Sequence, residues 1–250
     1  MEVVEVVMAL ARGRIADVRP RPFGADVADL DVDFDDARVQ VAARVLARCL
    51  GCDERAVQAL VVQERILLLL GISEISVAEP VEAHLSCTCG HVAVVELATA
   101  ELVRFASERQ REELVVRDGD AAATLRLPTG DDQLRWAGHA TSQDLQLAVL
   151  QDLVVDGELS DELAPLADEL LSEVDPLIEL QVDSTCPSCG AVVSRQVDVE
   201  RIALTRLRHA RRILLEQVHA IAARYHWTES TIAALPAWRR AEYAALARAR

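Results

Sequence analysis

The chain has 250 residues, 51% of them hydrophobic and only 3% aromatic, with a formal net charge of −15. That length suits one large domain or two small ones, and the core must be built from Val, Leu, Ala and Ile rather than from rings. Residues 201–250 hold ten Arg and three Glu, for +7, so residues 1–200 carry −22, which argues against broad nucleic-acid binding by the body because phosphate repulsion would dominate there.

Taken in order, residues 1–35 show short Val-rich runs and a turn at Arg19-Pro20-Arg21-Pro22. From Ala25 to Phe34 polar and apolar residues alternate, which reads as a half-exposed strand or an acidic surface loop. The N-terminus carries Glu2 and Glu5 and lacks a basic run, so no secretory signal is expected. Residues 36–71 read as helical, with Val39, Ala42, Val45, Leu46 and Cys49 at helical spacing. A second helix is expected from Asp53 to Leu70, stopped by Gly71. The run Ile66–Leu70 is far short of the roughly 20 apolar residues of a membrane span, so the expected location is cytoplasmic. In that reducing compartment paired cysteines signal metal or redox chemistry rather than disulfides.

Two hairpins follow the same plan. Val81–Ser86 and His91–Leu97 flank Cys87-Thr88-Cys89-Gly90, while Ile178–Asp183 and Ala191–Val199 flank Cys186-Pro187-Ser188-Cys189-Gly190. Between them, Val115–Leu127 is strand-like with a turn at Asp118-Gly119-Asp120, and Pro128-Thr129-Gly130 can start a helix. Helices are expected from Ser142 to about Leu153 and from Ser160 to Val174, the latter stopped at Asp175-Pro176. Leu204, Leu207, Ile213, Leu214, Val218, Ile221 and Tyr225 mark one face of a long helix. Thr228 can cap a short helix, and Pro236 suits the first turn of a last one.

The fold class read from this pattern is α+β: a mainly helical chain with a split four-cysteine zinc-ribbon-like β element and a C-terminal helical tail. Its regions are a mixed part, 1–79, helical after 36; the split ribbon, 80–200, in two pieces, 80–103 and 178–200, around an inserted α/β region, 104–177; and a basic helical region, 201–250.

Cys87, Cys89, Cys186 and Cys189 are the candidate metal ligands. Two thiolates from one tight turn reach a single tetrahedral Zn²⁺, and a glycine after the second cysteine supplies the positive φ such a turn needs. The 96 residues between the pairs are no obstacle. Closing a loop of that length costs roughly 1.6 kcal/mol more than a ~15-residue ribbon loop. Structural zinc contributes on the order of 10–16 kcal/mol in small peptides. His84 and His91 flank the first pair and could replace a ligand, but four cysteines already fill the site, so the zinc is read as structural. Cys49 and Cys52 form a third pair at a helix junction, without a hairpin and without a following glycine. They read as buried structural thiols, with a metal or redox role as the alternative. No P-loop, GxGxxG, GxSxG or HExxH occurs, and no catalytic residue is assigned. His209, His219 and His226 read as polar helix residues.

The last 65 residues carry a further pattern. After CPSCG come Val197-Asp198-Val199, then Leu215-Glu216-Gln217-Val218-His219-Ala220-Ile221-Ala222. Tyr225-His226-Trp227-Thr228-Glu229-Ser230-Thr231-Ile232, Leu235-Pro236 and Arg239-Arg240-Ala241-Glu242-Tyr243 complete it. This arrangement resembles the baseplate hub assembly chaperone family of T-even phage, whose relatives also occur in the operons of phage-tail-like contractile injection systems. The stretch LRLPTGDD, Leu125–Asp132, is similar to a family element. The resemblance is strongest over residues 180–250, and weaker over 115–135 and the N-terminal third. It implies a non-enzymatic role in assembling the hub or baseplate of a contractile tail. The implied partners are hub and spike proteins, with no small-molecule substrate, no nucleotide cofactor and no membrane. Trp227, Leu235, Trp238 and Tyr243 either pack the terminal helices or form part of a docking surface with Arg239 and Arg240 as its polar rim. The competing function is a zinc-ribbon regulator touching nucleic acid through residues 201–250; a weaker one is thiol redox chemistry at Cys186 and Cys189.

Overall fold

The N-terminal body is three helices separated by tight caps. Helix α1 (Arg38–Leu50) buries Val41, Ala42, Val45, Leu46 and Cys49 and ends at Gly51, whose φ of 71° lets its N–H reach the Ala47 carbonyl. Asp53 caps α2 (Glu54–Gln58) by accepting from the Arg55 N–H. Helix α3 is Val62–Ser76. The computed structural model describes residues 20–249 except 110, 112, 120 and 138–142, and, for 143–145, the backbone alone. The Val-rich runs before residue 20, the Asp120 end of the expected turn and the Ser142 helix start lie outside those residues.

The expected helix from Asp53 to Leu70 is two helices. Leu60 and Val61 leave the helical path to pair with the inserted region: the Val62 N–H donates to the Pro128 carbonyl at 2.9 Å, and the Gly130 N–H to Leu60 at 3.2 Å. Nor does Gly71 stop α3. Every residue from Val62 to Ser73 is buried, and packing against the rest of the core outweighs glycine's ~1 kcal/mol helix penalty. The alternating segment 25–34 is no strand either. Residues Val27–Asp31 form a 3-10 turn whose cap, Asp26, accepts from the Ala28 N–H. Fully buried Asp29 accepts two bonds from Arg21 (2.6 and 2.7 Å) and one from the Gly24 N–H (2.8 Å). The alternation reflects carboxylates meeting local donors, not a sheet edge.

Two antiparallel hairpins follow the predicted plan: β1 (Glu82–Ser86) with β2 (Val92–Glu96), and β6 (Leu180–Thr185) with β7 (Val192–Val197). Helix α4 (Thr99–Ser107) leads into the insert. There β3 (Glu113–Asp118), β4 (Ala121–Arg126) and β5 (Val154–Gly157) form an antiparallel sheet in that order, covered by α7 (Ala164–Val174) and flanked by α5 (Gly130–Trp136) and α6 (Gln143–Asp152). Strand β5 went unpredicted: it is four residues long and three of them are exposed, so it carries no apolar alternation. The insert has its own core around Leu114, Leu125, Leu150, Leu153 and Leu163. The main core joins α1–α4 to both hairpins and to the first half of α8 (Val199–Tyr225).

The LRLPTGDD stretch is the clasp between insert and body. Thr129 and Asp132 make a reciprocal capping box at the start of α5, while Pro128 and Gly130 bond the backbone at residues 60–62. Burial alone would raise the Asp132 carboxyl, but hydrogen bonds from Arg126 and from the Thr129 N–H and hydroxyl hold it well below the usual carboxylate range. Helix α8 is the spine of the molecule. Its first half lies in the main core, and its second half buries Leu214, Val218 and Ile221 against Ile232 and Ala244 of α9 (Glu229–Ala233) and α10 (Ala237–Arg248). It ends at His226, the only described non-glycine residue with positive φ (57°), whose N–H reaches Ala222. Thr228 caps α9 as expected, whereas Pro236 sits at the cap of α10 rather than in its first turn.

One buried acid makes stability pH-dependent. Asp175, 4% exposed at the end of α7, is pushed up from 3.8 to about 7 by burial. Across that window the folded state binds the proton more tightly than the unfolded chain, so its contribution is full below about pH 4 and lost as pH rises through 7. Asp175→Asn should therefore stabilise the protein by roughly 1–3 kcal/mol more at pH 8 than at pH 5, because the folded carboxyl loses its proton only between those two values. Urea unfolding at the two pH values measures this; an equal effect at both would refute it.

Candidate metal centre

Both knuckles are built by the same backbone device. The Cys87 N–H donates to His91 (2.8 Å) and the Cys186 N–H to Ala191 (2.8 Å), which closes each hairpin. The Gly90 N–H turns back to the Cys87 carbonyl (3.0 Å), and the Gly190 N–H to the Cys186 carbonyl (2.9 Å). The extra residue in the second knuckle is absorbed by a turn one residue wider. Gly90 and Gly190 have φ of 88° and 74°, and a Cβ on either would meet nothing within 4 Å. Backbone conformation rather than crowding requires glycine at both positions.

The tertiary fold brings the two knuckles face to face. The sulfurs of Cys87 and Cys189 lie 3.6 Å apart, and those of Cys89 and Cys186 lie 3.7 Å apart, so each close pair takes one sulfur from each knuckle. All four lie within 4.8 Å of one another. Sulfurs at about 2.3 Å from a tetrahedral ion are about 3.8 Å from each other, so the four fit one such ion. They are too far apart for a disulfide, whose sulfurs sit about 2.05 Å apart. Cys87 and Cys186 are buried in the main core, and Cys89 and Cys189 are exposed. The inner sulfurs are thus anchored by packing and the outer two close the site from the solvent side. Arg195 on β7 crosses to the Ser86 carbonyl on β1 (3.1 Å) and ties the hairpins together beside the cluster.

The cluster's electrostatics favour a cation. The Cys87 thiol is lowered to about 6, first by the backbone N–H of Cys89, then by hydrogen bonds from the neighbouring thiols against an opposing effect of burial. At Cys189 the Ala191 N–H pulls down, but the sulfurs of Cys89, Cys87 and Cys186 outweigh it and push the thiol up to about 12. One sulfur ionises at the expense of its neighbour. A divalent cation among them would remove that conflict and let all four ionise.

The remaining candidates fall outside the cluster. The side chains of His84 and His91 are exposed and neither joins the sulfurs. Cys49 is fully buried and pushed up to about 12 by burial; Cys52 is half-buried and raised for the same reason. Thiols in that state are poor nucleophiles and poor metal ligands. In the C-terminal tail, Trp227 and Tyr243 are half-buried and pack with Tyr225, ring centroids 5.0–5.8 Å apart. Leu235 is half-buried as well. Trp238 is 66% exposed, with the exposed Arg239 guanidinium 5.3 Å from its ring centroid. Arg240 does not lie at a rim: it is 1% exposed, because the loop at Gly24 and Ala25 draws its guanidinium inward through their carbonyls.

The charged residues that sequence reasoning passed over are buried. Arg65, 1% exposed, donates to the Val39 carbonyl (2.9 Å) and to Gln133 of the insert (2.8 Å), and lies in the field of buried Glu200. A Cβ on Gly130 would stand 2.5 Å from its guanidinium and 2.9 Å from the Gln58 carbonyl, so glycine is needed there to seat the pair. A charge immediately before the run Ile66–Leu70 was the available signal. No helix among the described residues is long and apolar enough to cross a membrane. Among known proteins, no family model, no curated protein and no solved structure matches the chain.

Proposed function

We propose that the four cysteines hold a structural Zn²⁺ and that the chain is a non-enzymatic assembly chaperone or adaptor for the baseplate hub of a phage tail or phage-tail-like contractile injection system, acting in the cytoplasm. The observation that carries this reading is a four-sulfur cluster that fills a tetrahedral coordination sphere and leaves no position for substrate. The metal staples the two ends of the insert together rather than serving a reaction. The hub assignment rests on the residue pattern of 180–250 and on the LRLPTGDD clasp. Exposed Val92, Val94 and Val192 on the ribbon hairpins supply apolar contact area of the kind an assembly factor uses.

The arginines of the tail weigh against the nucleic-acid reading. Arg206 donates to the carbonyls of Val77, Glu79 and Pro80, and Arg211 to that of Leu30. Arg208 pairs with Asp35, and Arg212 and Arg248 pair with Glu216. A phosphate backbone would have to compete with each of these partners. Co-expression with hub and spike proteins encoded beside the gene should yield a co-purifying complex. Normal particles from a strain lacking the gene would overturn the proposal, and salt-dependent DNA binding would favour the regulator instead.

A further inference from the structure

The four sulfurs of the cluster differ in their access to solvent. The first cysteine of each knuckle, Cys87 or Cys186, is buried, and the second, Cys89 or Cys189, is exposed. Each knuckle thus presents one sulfur that a dissolved oxidant can reach and hides the other. The exposed sulfur of one knuckle lies against the buried sulfur of the other: Cys189 is 3.6 Å from Cys87, and Cys89 is 3.7 Å from Cys186. A disulfide places its sulfurs about 2.05 Å apart, so each cross pair closes by a shift of roughly 1.6 Å.

The hairpins need not move for that shift. Arg195 already holds their edges together beside the cluster, donating to the Ser194 carbonyl of β7 at 2.9 Å and to the Ser86 carbonyl of β1 at 3.1 Å. A bond inside the first knuckle is a different matter. It would close a small ring over Thr88 alone, in a turn whose backbone is fixed by the bonds from Cys87 to His91 and from Gly90 to Cys87. It would also leave the two knuckles unjoined.

We propose that the cluster is a peroxide-sensitive switch: oxidation joins Cys189 to Cys87 and Cys89 to Cys186, expels the metal ion, and replaces the metal staple by two covalent ones between the same hairpins. Peroxide meets an exposed sulfur first. The Cys89 thiolate attacks one peroxide oxygen, the O–O bond breaks, and hydroxide leaves to be protonated to water. The Cys186 thiolate then attacks the sulfenic sulfur; the S–S bond forms, the S–O bond breaks, and a second water results. Cys189 and Cys87 react in the same way with a second peroxide. Each disulfide accounts for two electrons and one peroxide, and the ion departs with its charge unchanged. The ends of the insert stay tied in either state. Release of an ion rests on the metal centre proposed above; the connectivity rests on the sulfurs alone.

Hydrogen peroxide, added in small excess to the purified full chain, is the probe. A chromogenic chelator should report loss of the zinc, and alkylation with peptide mapping should show that all four cluster thiols are consumed. Partial reduction and tandem mass spectrometry should place the links at 87–189 and 89–186. Dithiothreitol with added zinc should restore the four thiols and the metal. The oxidised protein should resist proteolysis at residues 87–90 and 186–190 as the untreated protein does, whereas reduced protein stripped by a chelator should be cut there. Links at 87–89 or 186–189, or the pairing 87–186 with 89–189, would overturn the inference. Sulfinic acids in place of disulfides, or cluster thiols that peroxide leaves unchanged, would overturn it equally. Starting protein without zinc would refute the metal centre instead, and mapping of the reduced chain would still decide the connectivity.

Discussion

Changing Cys186 to Ser should release the metal and lower stability by several kcal/mol, on a scale where whole domains have about 5–15. Cys189→Ser should release the metal too, but with a smaller loss. The difference follows from position. Cys186 is 1% exposed and packs in the main core, so serine there also buries a hydroxyl against apolar neighbours. Cys189 is exposed, and its replacement costs only the ligand. In both variants the ends of the insert lose their staple, so proteolysis should begin near residues 87–90 and 186–190. Elemental analysis, thermal unfolding with and without a chelator, and thiol counting measure these effects. Wild-type protein purified without zinc, or variants that keep one zinc per chain, would refute the site. Cys52→Ser, outside the cluster, should leave the metal content unchanged.

Arg65→Leu should destabilise the protein by about 3–5 kcal/mol near neutral pH, because it strips a partner from a buried charge system. Its guanidinium joins α1 through Val39 and the insert through Gln133, and its charge, with that of Arg38, opposes the upward shift that burial imposes on Glu200. Without Arg65 the Glu200 carboxyl should rise further. A folded-state pKa that is raised contributes stability below the unfolded value and loses it as pH climbs, so the defect should be largest at alkaline pH and shrink on acidification. The double variant Arg65→Leu, Glu200→Gln should recover part of the loss, since it removes the buried carboxylate that would otherwise be left with Arg38, 3.5 Å away, as its remaining cation. A single variant within about 1 kcal/mol of wild type, or a double variant no better than the sum of the singles, would refute the coupling.

These two predictions differ in how readily sequence alone suggests them. The cysteine pairs announce themselves because metal ligation constrains a short local spacing, and the glycine that follows each pair reports the local φ. Helix starts at Asp53, Thr129 and Thr228 are equally local, since one side-chain oxygen meets an N–H two or three residues on. Gly71 misled, and the strand reading of segment 25–34 gave way to the alternative of a non-strand loop, because local preference was overruled. In the first case burial on all sides of α3 outweighs the penalty of glycine; in the second, buried Asp29 takes donors that a strand would have offered to a neighbour.

The sequence by itself determined the knuckles, several helix boundaries, the apolar face of α8 and the charge asymmetry between body and tail. All of these depend on residues no more than a few positions apart. Only the tertiary structure decided that the sulfurs interleave across 96 intervening residues, that Pro128 and Thr129 break the helix at residues 60–62, and that Arg65 and Arg240 are buried. Those outcomes turn on which distant groups a chain brings together. The energy of a buried charge or a shared metal depends on that company and not on the neighbours in sequence.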